Sequence, residues 1–108
     1  MANSLIPKLQ AIKQRYNEVA DLIIQPDVIS DQKRYSSLNK EYSDLGKVVA
    51  VFDQYMNAKN SIEEADEIIT TESDKDMIDL AKMEKQESLA LIPKLEEDLK
   101  ILLIPKDP

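Results

Sequence analysis

Cysteine, histidine and tryptophan are absent from this chain of 108 residues, and glycine occurs once. Without cysteine there is no disulfide framework, no thiol nucleophile and no Cys-containing zinc site. Without histidine there is no imidazole base, so neither a Ser-His-Asp triad nor a His-ligated metal can form. A single glycine argues against an all-β fold, which needs glycine-bearing turns between many short strands. There is no Gly-rich phosphate loop, and no nucleophile has a base beside it. The expected site is therefore empty of chemistry: no catalytic residue, no cofactor-binding residue, no metal ligand and no cofactor. No stretch approaches the ~20 apolar residues of a membrane span. After MANS comes a charged, periodic segment rather than an apolar signal run.

Charge excludes another class. The chain carries 14 Lys plus Arg against 21 Asp plus Glu, a net charge of −7. Residues 1–24 carry +1, residues 25–71 carry −4 and residues 72–108 carry −4. No segment is a basic arm, so an independent nucleic-acid site, which would need clustered Lys and Arg, is not expected. Contact with a large ribonucleoprotein through protein surfaces stays open. Leu, Ile, Lys, Asp and Glu predominate, a balance that suits helical hairpins and bundles.

Helical periodicity fills most of the length. Leu5, Leu9, Ile12, Tyr16, Val19 and Ile23 step by fours and threes, a heptad seam on one helix face. Ser4 is the expected N-cap, with Pro7 in the first turn, where its missing N–H bonds nothing. Gln25-Pro26-Asp27 stops this helix, and Ser30 or Asp31 caps the next. A second seam holds Tyr35, Leu38, Tyr42, Leu45, Val49, Phe52 and Met56. It then slips by one residue to Tyr55, Ala58, Ile62, Ala65 and Ile69, the drift expected of a long helix against a strict heptad. Gly46 lies inside, at about 1 kcal/mol relative to alanine, and the helix reads through it. Forty residues would span about 60 Å, which predicts a protruding hairpin. Residues 70–74 form the turn, capped by Ser73 or Asp74. On the third helix Ile78, Ala81, Ser88, Ile92, Leu95, Leu99 and Leu102 share a face that Lys85 interrupts. The expected fold is all-α: a three-helix antiparallel bundle dominated by a long helical hairpin. The expected domain is a single one over residues 1–108, with helices about 5–24, 31–70 and 74–103.

The peptide LIPK occurs three times, at Leu5, Leu91 and Leu103. The copies do not share flanking periodicity and are not a repeat. The first opens a helix. The second puts Pro93 inside the third helix, where a kink is expected in preference to a break and restart near Ser88. The third ends that helix, with Lys106-Asp107 between Pro105 and Pro108 as an extended exit.

Three residue groups invite a functional reading, and each has a plainer one. Glu63-Glu64 and Asp66-Glu67 suggest a cation or acid/base pair but read more simply as a solvated helix face. Glu72, Asp74, Asp76 and Asp79 contain a D-x-D spacing. Counted from Asp74, Asp79 and Lys85 stand where a calcium loop needs Gly and Glu, so that match fails. Tyr16, Tyr35 and Tyr42 could stack bases; as seam residues they read as partly buried rings. Met56, Met77 and Met83 could line an adaptable groove but read more simply as ordinary core filling.

The stretch LKILLIPKDP, Leu99 to Pro108, resembles the end of the N-terminal domain in the bacterial peptide chain release factor 1 family. KLQAIKQRYNEVADLI resembles that family's first helix. SDQKRYSSLNKEYSDLGKVV resembles its second-helix signature, here Asp31, Arg34, Tyr35, Leu38, Lys40, Glu41, Tyr42 and Leu45. The resemblance covers essentially the whole chain, PKDP favours factor 1 over factor 2, and organellar relatives share the pattern. Pro93 is not a requirement of the family. The resemblance implies a cytoplasmic factor that binds the ribosome, reads UAA or UAG and triggers hydrolysis of peptidyl-tRNA. It does so through a Pro-x-Thr codon-reading tripeptide and a Gly-Gly-Gln loop. Neither motif occurs here, so the chain is expected to be an excised N-terminal domain and not an enzyme. Its implied partner is the GTPase-associated region of the large ribosomal subunit, by way of residues that the sequence does not single out. The alternative is a stand-alone helical-hairpin adaptor or cochaperone. The leucine-rich end of the last helix, left bare, invites dimers.

Overall fold

The computed structural model describes residues 5–105, and among them every regular element is a helix. There are four: α1, Leu5–Leu22; α2, Pro26–Ile29; α3, Gln32–Thr71; and α4, Lys75–Leu102. The expected helix count is thereby corrected from three to four. Ser4 and residues 106–108, where the first N-cap and the extended exit were expected, lie outside the described residues. The backbone contacts divide the chain into two units, residues 1–50 and 51–108.

In the first unit, α1 stops at Leu22 and Pro26 does not merely end a helix. It stands at the first position of α2, where its fixed φ suits helix entry and its missing N–H costs no bond. This single turn buries Val28 completely against Val19 and Leu38, with Leu22, Ile23 and Tyr42 packed around them. Asp31 then caps α3: its Oδ1 accepts the Arg34 N–H at 3.2 Å. Arg15 and Tyr16 of α1 meet Glu41 and Tyr42 of α3, while Val19 clusters with Leu38. Rising numbers on α1 meet falling numbers on α3, so these stretches run antiparallel.

In the second unit, α3 turns into α4 without glycine and without any positive φ among the described residues. Threonine and carboxylate oxygens serve instead. The Thr71 hydroxyl donates to the Glu67 carbonyl at 2.6 Å, and Thr70 donates to those of Asp66 and Glu67. The Glu72 carboxylate accepts the N–H groups of Ser73 and Asp74, and Asp74 caps α4 by accepting the Asp76 N–H at 2.9 Å. Helix α4 runs unbroken through Pro93, which removes the break near Ser88 as an alternative. Ala81, Ser88, Leu95 and Leu99 are its buried face. Lys85, which interrupts that face, is held by Asp66 of α3 at 2.6 Å. Leu102, read as a seam residue, is exposed at 37%. It is the last residue of the helix, and Leu103 N–H closes the final turn on the Leu99 carbonyl at 3.1 Å.

Candidate partner-docking surfaces

Tyr16 of α1 and Tyr42 of α3 meet in the first unit. Their rings stack at 4.6 Å between centroids and 11° between planes, and their hydroxyls are 3.0 Å apart. The stack needs a close approach of α1 to α3, which explains the lone glycine. A Cβ on Gly46 would lie 3.3 Å from Tyr16 Cε1, tighter than ordinary van der Waals contact. Glycine costs helix stability but admits the ring. Beside the stack, Arg15 grips Glu41 in a two-point fork, Nε to Oε2 at 2.6 Å and Nη2 to Oε1 at 2.8 Å, and reaches Glu18 at 3.7 Å. The hydrogen bonds from Arg15 hold the Glu41 carboxyl below its ordinary value against an opposing desolvation, and raise Arg15 in turn. Two of the three tyrosines considered for base stacking are thus spent on each other. The third, Tyr35, is 38% exposed and stands outside the cluster of Val19, Val28 and Leu38.

Three of the acidic side chains serve local structure. Asp66 pairs with Lys85, Glu72 builds the turn and Asp74 is a cap. Among the described residues no group of three carboxylates is placed to hold a metal ion. No helix there is long and apolar enough to cross a membrane. Of the methionines, Met56 is half-buried, while Met77 and Met83 stand exposed on α4.

One concave surface does lie in the second unit, a groove of about 350 Å³ between α3 and α4. Tyr55, Lys59, Ile62 and Glu63 line it from α3, and Leu89, Ile92 and Glu96 from α4. The short turn 72–74 and the Asp66–Lys85 bridge make these stretches antiparallel, a register that brings Tyr55 toward Glu96 and Ile62 toward Leu89. Tyr55, Ile62 and Ile92 were legible as seam positions. Leu89 was not, because it lies beside the seam; the signal was its spacing of three from Ile92. The candidate surfaces are thus, in the first unit, a glycine-seated tyrosine stack with an ion-paired flank and, in the second unit, an apolar trough edged with carboxylates.

Comparison with known proteins identifies the family. The PCRF domain matches residues 12–108, and the chain belongs to this family. Its similar relatives carry the name peptide chain release factor 1, and the match is to their N-terminal region. The protein of Flavobacterium psychrophilum is 52% identical over 103 residues, 95% of this chain and 29% of the relative. That of Flavobacterium johnsoniae is 50% identical over 96% of this chain and 29% of the relative, and that of Cytophaga hutchinsonii 44% over the same shares. The chain therefore spans about 29% of the length of these relatives. None of these names points to a stand-alone adaptor or cochaperone, which leaves that alternative without support. No solved structure matches the chain.

Proposed function

We propose that this chain is the N-terminal helical docking domain of a peptide chain release factor 1, excised from a longer protein that directs termination at UAA and UAG. The observation that carries this reading is 52% identity across 95% of the chain to a factor of which the chain matches only 29%. Residues 1–108 act as one helical domain in the cytoplasm. They take no part in peptidyl-tRNA hydrolysis, because codon reading and release belong to motifs that these residues do not contain. Their partner is the GTPase-associated region of the large ribosomal subunit, met through protein surfaces. Ile101, Leu102 and Ile104 are exposed at the end of α4. With the rest of a factor missing, that apolar end favours dimers, which sedimentation would detect.

A reconstituted termination reaction tests the reading. Added alone to ribosomes paused at UAA, the chain is expected to release no peptide. Added in excess over full-length factor 1, it is expected to slow release by competing for the docking surface. Release by the chain alone, or undiminished release at saturating excess, contradicts the proposal.

A further inference from the structure

The groove of the second unit has the shape and charge of a receptor. Its α3 wall, from Tyr55 to Glu63, is ~12 Å long, about two helical turns. Its floor is apolar: Tyr55 is buried, Ile62 and Ile92 are half-buried, and Leu89 is 49% exposed. A trough of this length between two antiparallel helices is a surface into which a third helix packs. The antiparallel register puts the carboxylates on opposite walls and toward opposite ends, Glu63 on α3 nearer Leu89 and Glu96 on α4 nearer Tyr55. Lys59, the lining cation, leans back over the Tyr55 ring at 5.5 Å from its centre, so the Glu63 end presents negative charge.

Charge selects the occupant. Residues 51–108 carry 15 acidic and 7 basic side chains, a net charge of −8. A second copy would bring the same sign to the same surface, and a nucleic acid would bring phosphates toward carboxylates. A cationic partner is drawn in by the same field. We infer that the groove lined by Tyr55, Ile62, Leu89 and Ile92 docks a basic amphipathic helix of a partner protein. Apolar side chains at i, i+3 or i+4, and i+7 fill the trough, and Lys or Arg on the flank reaches Glu63. This assignment stands apart from the release-factor reading, since it needs no ribosome.

The test is a titration of the 108-residue chain against a fluorescent Leu/Lys amphipathic peptide of about 14 residues, roughly four helical turns. Saturable binding is expected. Leu89→Arg and Glu63→Lys should each weaken it at least ~10-fold, since one blocks the trough and the other inverts its rim. Asp76→Lys makes the same charge change in the first turn of α4, away from the groove, and should alter affinity less than ~2-fold. Circular dichroism melts of the variants confirm folding; should Leu89→Arg unfold the chain, Glu63→Lys carries the comparison. Equal weakening by Asp76→Lys and Glu63→Lys reduces the binding to diffuse attraction and overturns the assignment. So does equal affinity for a Leu/Glu peptide, or sedimentation showing a dimer that Leu89→Arg abolishes.

Discussion

Gly46 is where one residue type settles a local conflict. Alanine there gains about 1 kcal/mol of helix propensity. It also places a methyl 3.3 Å from a ring that stacking and a hydroxyl contact hold in place. Gly46→Ala is therefore expected to stabilise the chain by clearly less than that amount, or to destabilise it. In a Tyr16→Ala background the same change should recover the full gain. Thermal melts of the four proteins measure the coupling, and additive effects would show that the ring is not the reason for the glycine. Glu41 makes a pH prediction at the same scale. Arg15 lowers its pKa in the folded chain, so its protonation favours the unfolded state. The contribution is whole above the ordinary glutamate range and is lost as pH falls through the lowered value. On acidification the melting temperature of the native chain should fall more steeply than that of Glu41→Gln; parallel curves would remove the role of the fork.

At the scale of elements, Pro93 offers the clearest test. It sits inside α4 on an exposed face, and it leaves the Leu89 carbonyl without its intrahelical donor. Proline in a helix interior is about 3 kcal/mol less favourable than alanine. Pro93→Ala should raise stability by up to about that amount in denaturant unfolding, and a loss would mean that the proline shapes packing that alanine cannot keep. The three long helices were legible because each carries a seam over many turns, and the one-residue slip near Tyr55 reappears as buried Phe52, Tyr55, Ala58 and Ala65. Helix α2 was not legible. Four residues cannot display a period, and Pro26 reads equally as a stop and as a start. Tyr35 fell in the seam by spacing alone; position in the opening turn of α3, not periodicity, decides its exposure. The groove was half legible, because the seam names its floor but the sequence does not say which carboxylates stand on its rim.

For the whole molecule, stability rests on a few fully buried side chains in a highly charged chain. Leu99 is among the largest of them. Leu99→Ala is expected to cost about 2–5 kcal/mol, the range for a buried leucine truncated with partial collapse of the cavity. A melting curve unchanged by that substitution would remove it from the core. The proposed function depends on docking, and the acidic balance makes the predicted contact one between proteins rather than with bare RNA phosphates. The direct measurement is cosedimentation of the chain with isolated large and small ribosomal subunits over a series of salt concentrations. The account predicts that the chain pellets with large subunits, not with small ones, and less so as salt rises. If it stays in the supernatant with large subunits even at the lowest salt, the docking role is wrong.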